Sequence, residues 1–89
     1  MEMHQVRYFS AICEEGNFTR AAKRCGVKQP SLTRAIQRLE TELGGPLFIR
    51  TLKGATLSHL GRLVRTYLLR IDDNAARAKA TAKVAATKV

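Results

Sequence analysis

Residues 26–36 read GVKQPSLTRAI, and wound into a helix the stretch separates into two unlike faces. Leu32, Ala35 and Ile36 fall on one side, and Leu39 and Leu43 continue that apolar stripe. Opposite them stand Gln29, Ser31, Thr33, Arg34, Gln37 and Arg38, a set rich in hydrogen-bond donors and without an acid. A helix face that merely meets water usually mixes Lys with Glu. The spacing predicts a helix from about Gln29 to Leu43. Pro30 suits its first turn, where a missing N–H costs nothing, while Gly44, Gly45 and Pro46 stop it.

Upstream, Phe18, Ala21, Ala22 and Cys25 mark the inward face of a short helix over about 18–25, with alanines small enough for close approach of a neighbour. Gly26 ends it, and Val27 anchors the turn to the core. Before it, Met3, Val6, Phe9, Ile12 and Cys13 give an amphipathic helix over 3–15; Gly16 suits its C-cap and Asn17 the next N-cap. Two short helices joined by a tight turn with glycine form a helix-turn-helix.

Downstream, in PLFIRTLKGATLS, Leu47 to Ile49 read as a strand, TLKG as a turn bending at Gly54, and Ala55 to Leu57 as the return strand. This is a wing, and Arg50 and Lys53 are expected at its tip. Ser58 is positioned to cap a long last helix, along which Leu60, Val64, Tyr67, Ile71, Asn74 and Ala78 recur at intervals of four and three, as in a coiled-coil seam. Leu63 and Leu68 lie off that seam, so one stripe can pack on the domain while another meets a partner helix. The Ala/Lys-rich end is expected to stay helical to about residue 80 and then fray. The expected fold is mainly α: a winged helix-turn-helix of three helices and a two-stranded wing over 1–58, then a linker and dimerisation helix over 59–89.

Eighty-nine residues suffice for one domain. Sixteen Lys and Arg against seven Asp and Glu give a net charge of +9, which calls for an anionic partner, nucleic acid or an anionic membrane surface. No apolar run reaches the ~18 residues of a membrane span, and the N-terminus does not read as a signal peptide. Cys13 and Cys25 are in no CxxC pair and fall on apolar helix faces, as reduced core residues of a cytoplasmic protein do. His4 and His59 are far apart in sequence, no nucleophile pairs with a base, and Gly44-Gly45 is a helix stop, not a phosphate loop. Catalysis, metal binding and a cofactor are therefore not expected.

The donor face has the chemistry of base reading. A helix fits the major groove, where Gln can bond adenine bidentately, Arg guanine, and Ser or Thr either. Gln29, Pro30, Ser31, Thr33 and Arg34 offer those functions, with the proline ring suited to a thymine methyl; Gln37 and Arg38 reach another base or a phosphate. Lys28, Arg34 and Arg38 lie early in the helix and Glu40 and Glu42 late, the reverse of what the helix dipole prefers, as a phosphate-lined partner would explain. Free N–H groups at the starts of the second and third helices, near Thr19, Arg20 and Lys28, suit anions, and Arg50 and Lys53 suit a minor groove or flanking backbone.

The run GNFTRAAKRCGVKQPSLTRAIQRLETELGGPLFIR, followed by LSHLG, resembles the DNA-binding domain of LysR-type transcriptional regulators over about residues 3–70. The resemblance rests on Phe9, Ala21-Ala22, QPSLTRAI from 29, Leu39-Glu40, Leu43-Gly44, LFIR from 47 and Gly61. It implies a dimer paired through linker helices, placing two recognition helices on an interrupted inverted repeat of double-stranded DNA. It assigns Gln29, Pro30, Ser31, Thr33 and Arg34 to bases and nearby backbone, Arg50 and Lys53 to the wing contact, and Leu60, Val64, Tyr67, Leu68 and Ile71 jointly to core and dimer seam. Three residues depart from the pattern. Lys28 stands in place of a capping Ser and adds a phosphate contact, Cys25 replaces a Leu, and Asn17 replaces a Ser cap. Family members also carry a C-terminal domain that senses a small-molecule effector, and the chain ends where that domain would begin, as an excised DNA-binding fragment would. Two other readings stay open: nonspecific architectural DNA binding driven by charge, and a basic helical interaction module whose last helix is the functional surface.

Overall fold

A computed structural model describes residues 1–87, in the order α1 (Met3–Glu15), α2 (Phe18–Cys25), α3 (Gln29–Leu43), β1 (Phe48–Thr51), β2 (Gly54–Leu57) and α4 (His59–Thr87). The first three helices begin and end where the apolar spacing and the glycines place them. Gly16, Gly26 and Gly44 all take left-handed conformations at the helix ends, as C-cap residues do. Asn17 caps α2 by accepting the Arg20 N–H at 2.9 Å. Replacing Asn17 by alanine is expected to cost about 1 kcal/mol and to lower the melting temperature by roughly 4–8 °C, read by thermal unfolding of the helical signal.

The core lies where α1, α2 and α3 converge. Phe9, Ile12, Leu32 and Leu39 are fully buried, and Ala21 and Ala22 allow α2 its close approach. Phe48 closes the cluster from the wing, with its ring 5.2 Å from Phe9 and 5.7 Å from Phe18, centre to centre. Aromatic pairs at this spacing add to what area burial alone supplies. Cys13, Cys25 and Val27 pack half-buried at the edge of the core, and both cysteines are free thiols. Burial pushes the Cys13 thiol above its ordinary value, against the opposing pull of Arg65. Met3, expected on the apolar face, is half exposed because it opens α1 beyond the packed layer.

Leu47 pins three elements together. Its N–H donates to the Glu40 carboxylate at 2.7 Å, and its carbonyl accepts the Ser58 N–H at 2.9 Å. Those bonds hold it outside the ladder, so β1 begins at Phe48, one residue later than the pattern predicts. The antiparallel pairing runs from Phe48 opposite Leu57 to Thr51 opposite Gly54, leaving Leu52 and Lys53 as a two-residue turn. Ser58 caps α4 as expected, accepting the Gly61 N–H at 2.9 Å while its hydroxyl donates to the Pro46 carbonyl at 2.6 Å.

The last helix departs most from its sequence reading. It continues to Thr87, past the fraying point expected near residue 80; positions 88 and 89 of the expected frayed end lie outside the described residues. Its first half packs on the domain: Leu68 is buried, and Leu60 and Val64 lie half-buried against the core. Leu68 thus has no surface left for a partner helix, although the resemblance placed it in the shared seam. Leu63, assigned off the seam, is 59% exposed, and Tyr67 is 68% exposed. Ile71 is exposed as well. The free stripe is Leu63, Tyr67 and Ile71, at successive intervals of four. It is rotated from the expected seam because the domain core has already taken the side carrying Leu60, Val64 and Leu68.

Candidate nucleic-acid interface

α3 sits between α1 on one flank and α2 with the wing on the other, and its donor face is open. Pro30, Ser31, Arg34, Gln37 and Arg38 are exposed, and Gln29 and Thr33 are half-exposed. The structure therefore brings together all the α3 residues that the sequence singled out. Gln29 donates its amide to the Thr33 hydroxyl at 2.9 Å, one turn on. This uses one of the amide's N–H groups and leaves its carbonyl oxygen and second N–H available to another partner. Ser31, Arg34 and Arg38 edge the flank toward α1; Thr33 and Gln37 edge a narrow cleft toward Phe18, Pro46, Phe48 and Arg50.

The wing is held against this face at two points. The Ala55 N–H donates to the Gly16 carbonyl at 2.9 Å, tying the hairpin to the turn between α1 and α2. Gly54, at φ +136°, passes so close to that carbonyl that a side chain there would collide with it. The Arg50 guanidinium lies over the Phe18 ring, 4.2 Å from its centre. That stacking keeps Arg50 on β1 beside the cleft and away from the tip, where the sequence reading put it. Lys53 does occupy the turn, next to Leu52, whose side chain is fully exposed. The Phe18–Arg50 contact had no local sequence signal, since the two residues meet only through tertiary packing.

Charge pairing divides the basic residues into two groups. Arg24 is bound to Glu14 at 2.6 Å and Glu15 at 3.3 Å, and the bond to Glu14 raises its already high pKa. Arg77 pairs with Asp73 at 2.9 Å. Among the described residues, none of Lys28, Arg34, Arg38, Arg50 and Lys53 has a carboxylate within ion-pair distance. The positive charge of the α3 face and wing is left for an outside anion.

Two details of the electrostatic reading change. The acids late in α3 have partners of their own, Glu40 with the Leu47 N–H and Glu42 with the N-terminal amine of Met1 at 2.8 Å. Their position against the helix dipole thus follows from tertiary bonds and does not require an external partner. The N-terminus of α3 also presents little backbone to an anion. Pro30 has no N–H, and those of Ser31 and Leu32 go to the Lys28 carbonyl at 3.0 and 3.2 Å. Side chains must therefore supply most of the binding on this helix.

No helix among the described residues is long and apolar enough to cross a membrane, and no three His, Cys, Asp or Glu side chains there gather as a metal site. What remains is an exposed donor-and-cation helix braced beside a hairpin. Residues 3–62 match the family described as bacterial regulatory helix-turn-helix protein, lysR family. The chain belongs to the LysR family.

The LysR assignment extends to individual relatives. The chain is 49% identical over 61 residues to the HTH-type transcriptional regulator BudR of Klebsiella aerogenes, covering 68% of this chain and 43% of that protein. The fold matches that in the crystal structure of the CbnR_DBD-DNA complex with a TM-score of 0.82 and 40% identity, covering 97% of this chain and 99% of that one. It also matches that in the BenM_DBD/catB site 1 DNA complex with a TM-score of 0.85 and 35% identity, covering 97% of both. The chain spans less than half the length of the curated relatives it matches. Those relatives are named as transcriptional regulators, and none of the names denotes an enzyme.

Proposed function

We propose that this chain is the sequence-specific DNA-binding domain of a bacterial LysR-type transcriptional regulator. The observation that carries the reading is the exposed α3 face, where Gln29, Thr33, Arg34 and Gln37 present base-reading groups and the cations lack ion-pair partners among the described residues. α3 enters the major groove with Gln29, Pro30, Ser31, Thr33 and Arg34 toward bases and adjoining backbone. Gln37, Arg38 and Lys28 extend the contact to phosphates, and Arg50 and Lys53 hold the flanking groove or backbone. The matching folds in the CbnR and BenM DNA complexes support this docking. A homodimer forms through the exposed stripe of α4 and sets two such helices on an interrupted inverted repeat. The regulator acts in the bacterial cytoplasm, and its small-molecule response belongs to a C-terminal domain outside this chain.

Selection from a random DNA pool at near-physiological salt tests the reading. Two related half-sites about one helical turn apart are expected. Against the selected duplex, Gln29→Ala should lose about 10- to 100-fold in affinity, because one bidentate base contact is worth about 1–3 kcal/mol. Against random duplex it should bind nearly as the unmodified chain does, since phosphate contacts dominate there. Tight, salt-sensitive binding without any selected motif would favour the architectural reading instead.

A further inference from the structure

The flank of α3 that faces α1 brings a histidine from another helix beside its arginines. His4, Ser31, Arg34, Ala35 and Arg38 line one shallow depression of about 200 Å³. His4 comes from the first turn of α1 and the other four from α3. The imidazole lies edge-on to the Tyr8 ring of its own helix at 5.6 Å, the Arg7 guanidinium sits over that same ring at 5.4 Å, and Ser31, Arg34 and Arg38 share the depression with His4. No carboxylate lines it. The acids late in α3 are engaged elsewhere, Glu42 by the Met1 amine and Glu40 by the Leu47 N–H. Two arginines, a serine and a histidine thus border one open depression, and none of them has an ion-pair partner among the described residues.

We propose that His4, Ser31, Arg34 and Arg38 form a phosphate subsite for the DNA backbone, completed by the α1 histidine, so that DNA affinity rises as the solution is acidified. The inference rests on the DNA-binding reading and adds a contact from a helix to which that reading gives no role. Two arginines and a hydroxyl match the oxygens of a phosphodiester. A neutral imidazole donates one hydrogen bond to that group, whereas a protonated one adds a full charge beside it. The sign follows directly. Binding beside an anion favours the protonated ring, so the complex takes up a proton and tightens as pH falls.

The test measures affinity for a short duplex of random sequence at low salt, from about pH 8 to about pH 5.5. Random sequence isolates backbone contacts, so the outcome does not depend on whether bases are read. The expected gain for the unmodified chain over that range is about tenfold. His4→Gln should flatten the profile, and His4→Arg should give binding that is tight and independent of pH. His59→Gln, at the start of α4 and outside the depression, should keep the unmodified profile. The helical circular dichroism of each variant checks that it remains folded. A flat profile for the unmodified chain, or an unchanged one in His4→Gln, would overturn the subsite while leaving DNA binding intact. Failure to bind the duplex at every pH would overturn both. A subsite that behaves as expected, with no motif recovered by selection, would remove base reading alone.

Discussion

Replacing Leu63 and Tyr67 together by aspartate is expected to leave a folded monomer that has lost its hold on a two-half-site duplex. Both side chains are more than half exposed, so two charges there remove little from the core. Placed in an apolar helix–helix seam, the same charges would be desolvated and would repel their copies across the dimer axis. A dimer gains its affinity by making the second half-site contact intramolecular, and losing that linkage costs about 10²- to 10⁴-fold. Sedimentation equilibrium should report the monomer. Binding to the paired site should fall to the level seen on a single half-site, which is unchanged because α3 is untouched. A variant that stays dimeric would move the interface away from the Leu63, Tyr67 and Ile71 stripe.

Gly61→Ala is expected to be strongly destabilising, although alanine ordinarily favours a helix interior. In an ordinary helix interior this change stabilises by roughly 0.5–1 kcal/mol. Here a β-carbon would overlap the Leu47 carbonyl and come within 3.0 Å of the Leu57 side chain. That carbonyl is backbone, and it already accepts the Ser58 N–H that begins α4. The helix would have to move off the wing, or the pin at Leu47 would break. Overpacking of this kind costs about 1–3 kcal/mol, and the lost hydrogen bond adds to it. A fall in melting temperature of roughly 10–20 °C should result in a domain of this size. Gly45→Ala provides the contrast. Its added carbon would meet only the flexible end of Leu60 at 3.4 Å, so its melting point should move little. Equal shifts in the two variants would mean that the close approach of α4 to Leu47 does not govern stability.

The sequence by itself determined the parts whose physics is local. The bounds of α1, α2 and α3 follow from apolar residues at helical spacing and from glycines able to take the left-handed cap conformation. The donor face of α3 was legible for the same reason, because residues three and four apart must share a side of a helix. Asn17 and Ser58 were readable as caps, since each bonds an N–H three residues away.

Only the tertiary structure decided which of the remaining groups were free. Glu40 and Glu42 looked like charges set against their own helix until the chain turned back at Leu47 to meet the first and the distant N-terminus met the second. Arg50 looked like a tip residue until Phe18 came beneath it. His4 had no partner in sequence, and it joined Ser31, Arg34 and Arg38 because α1 crosses α3 near its own first turn. Along α4 the pattern offered two overlapping stripes, and heptad spacing cannot choose between them. Packing against the domain core chose, burying Leu68 and leaving Leu63 and Tyr67 exposed. Helical periodicity fixes which residues share a face, but the element that covers that face is set by contacts between residues far apart in the chain.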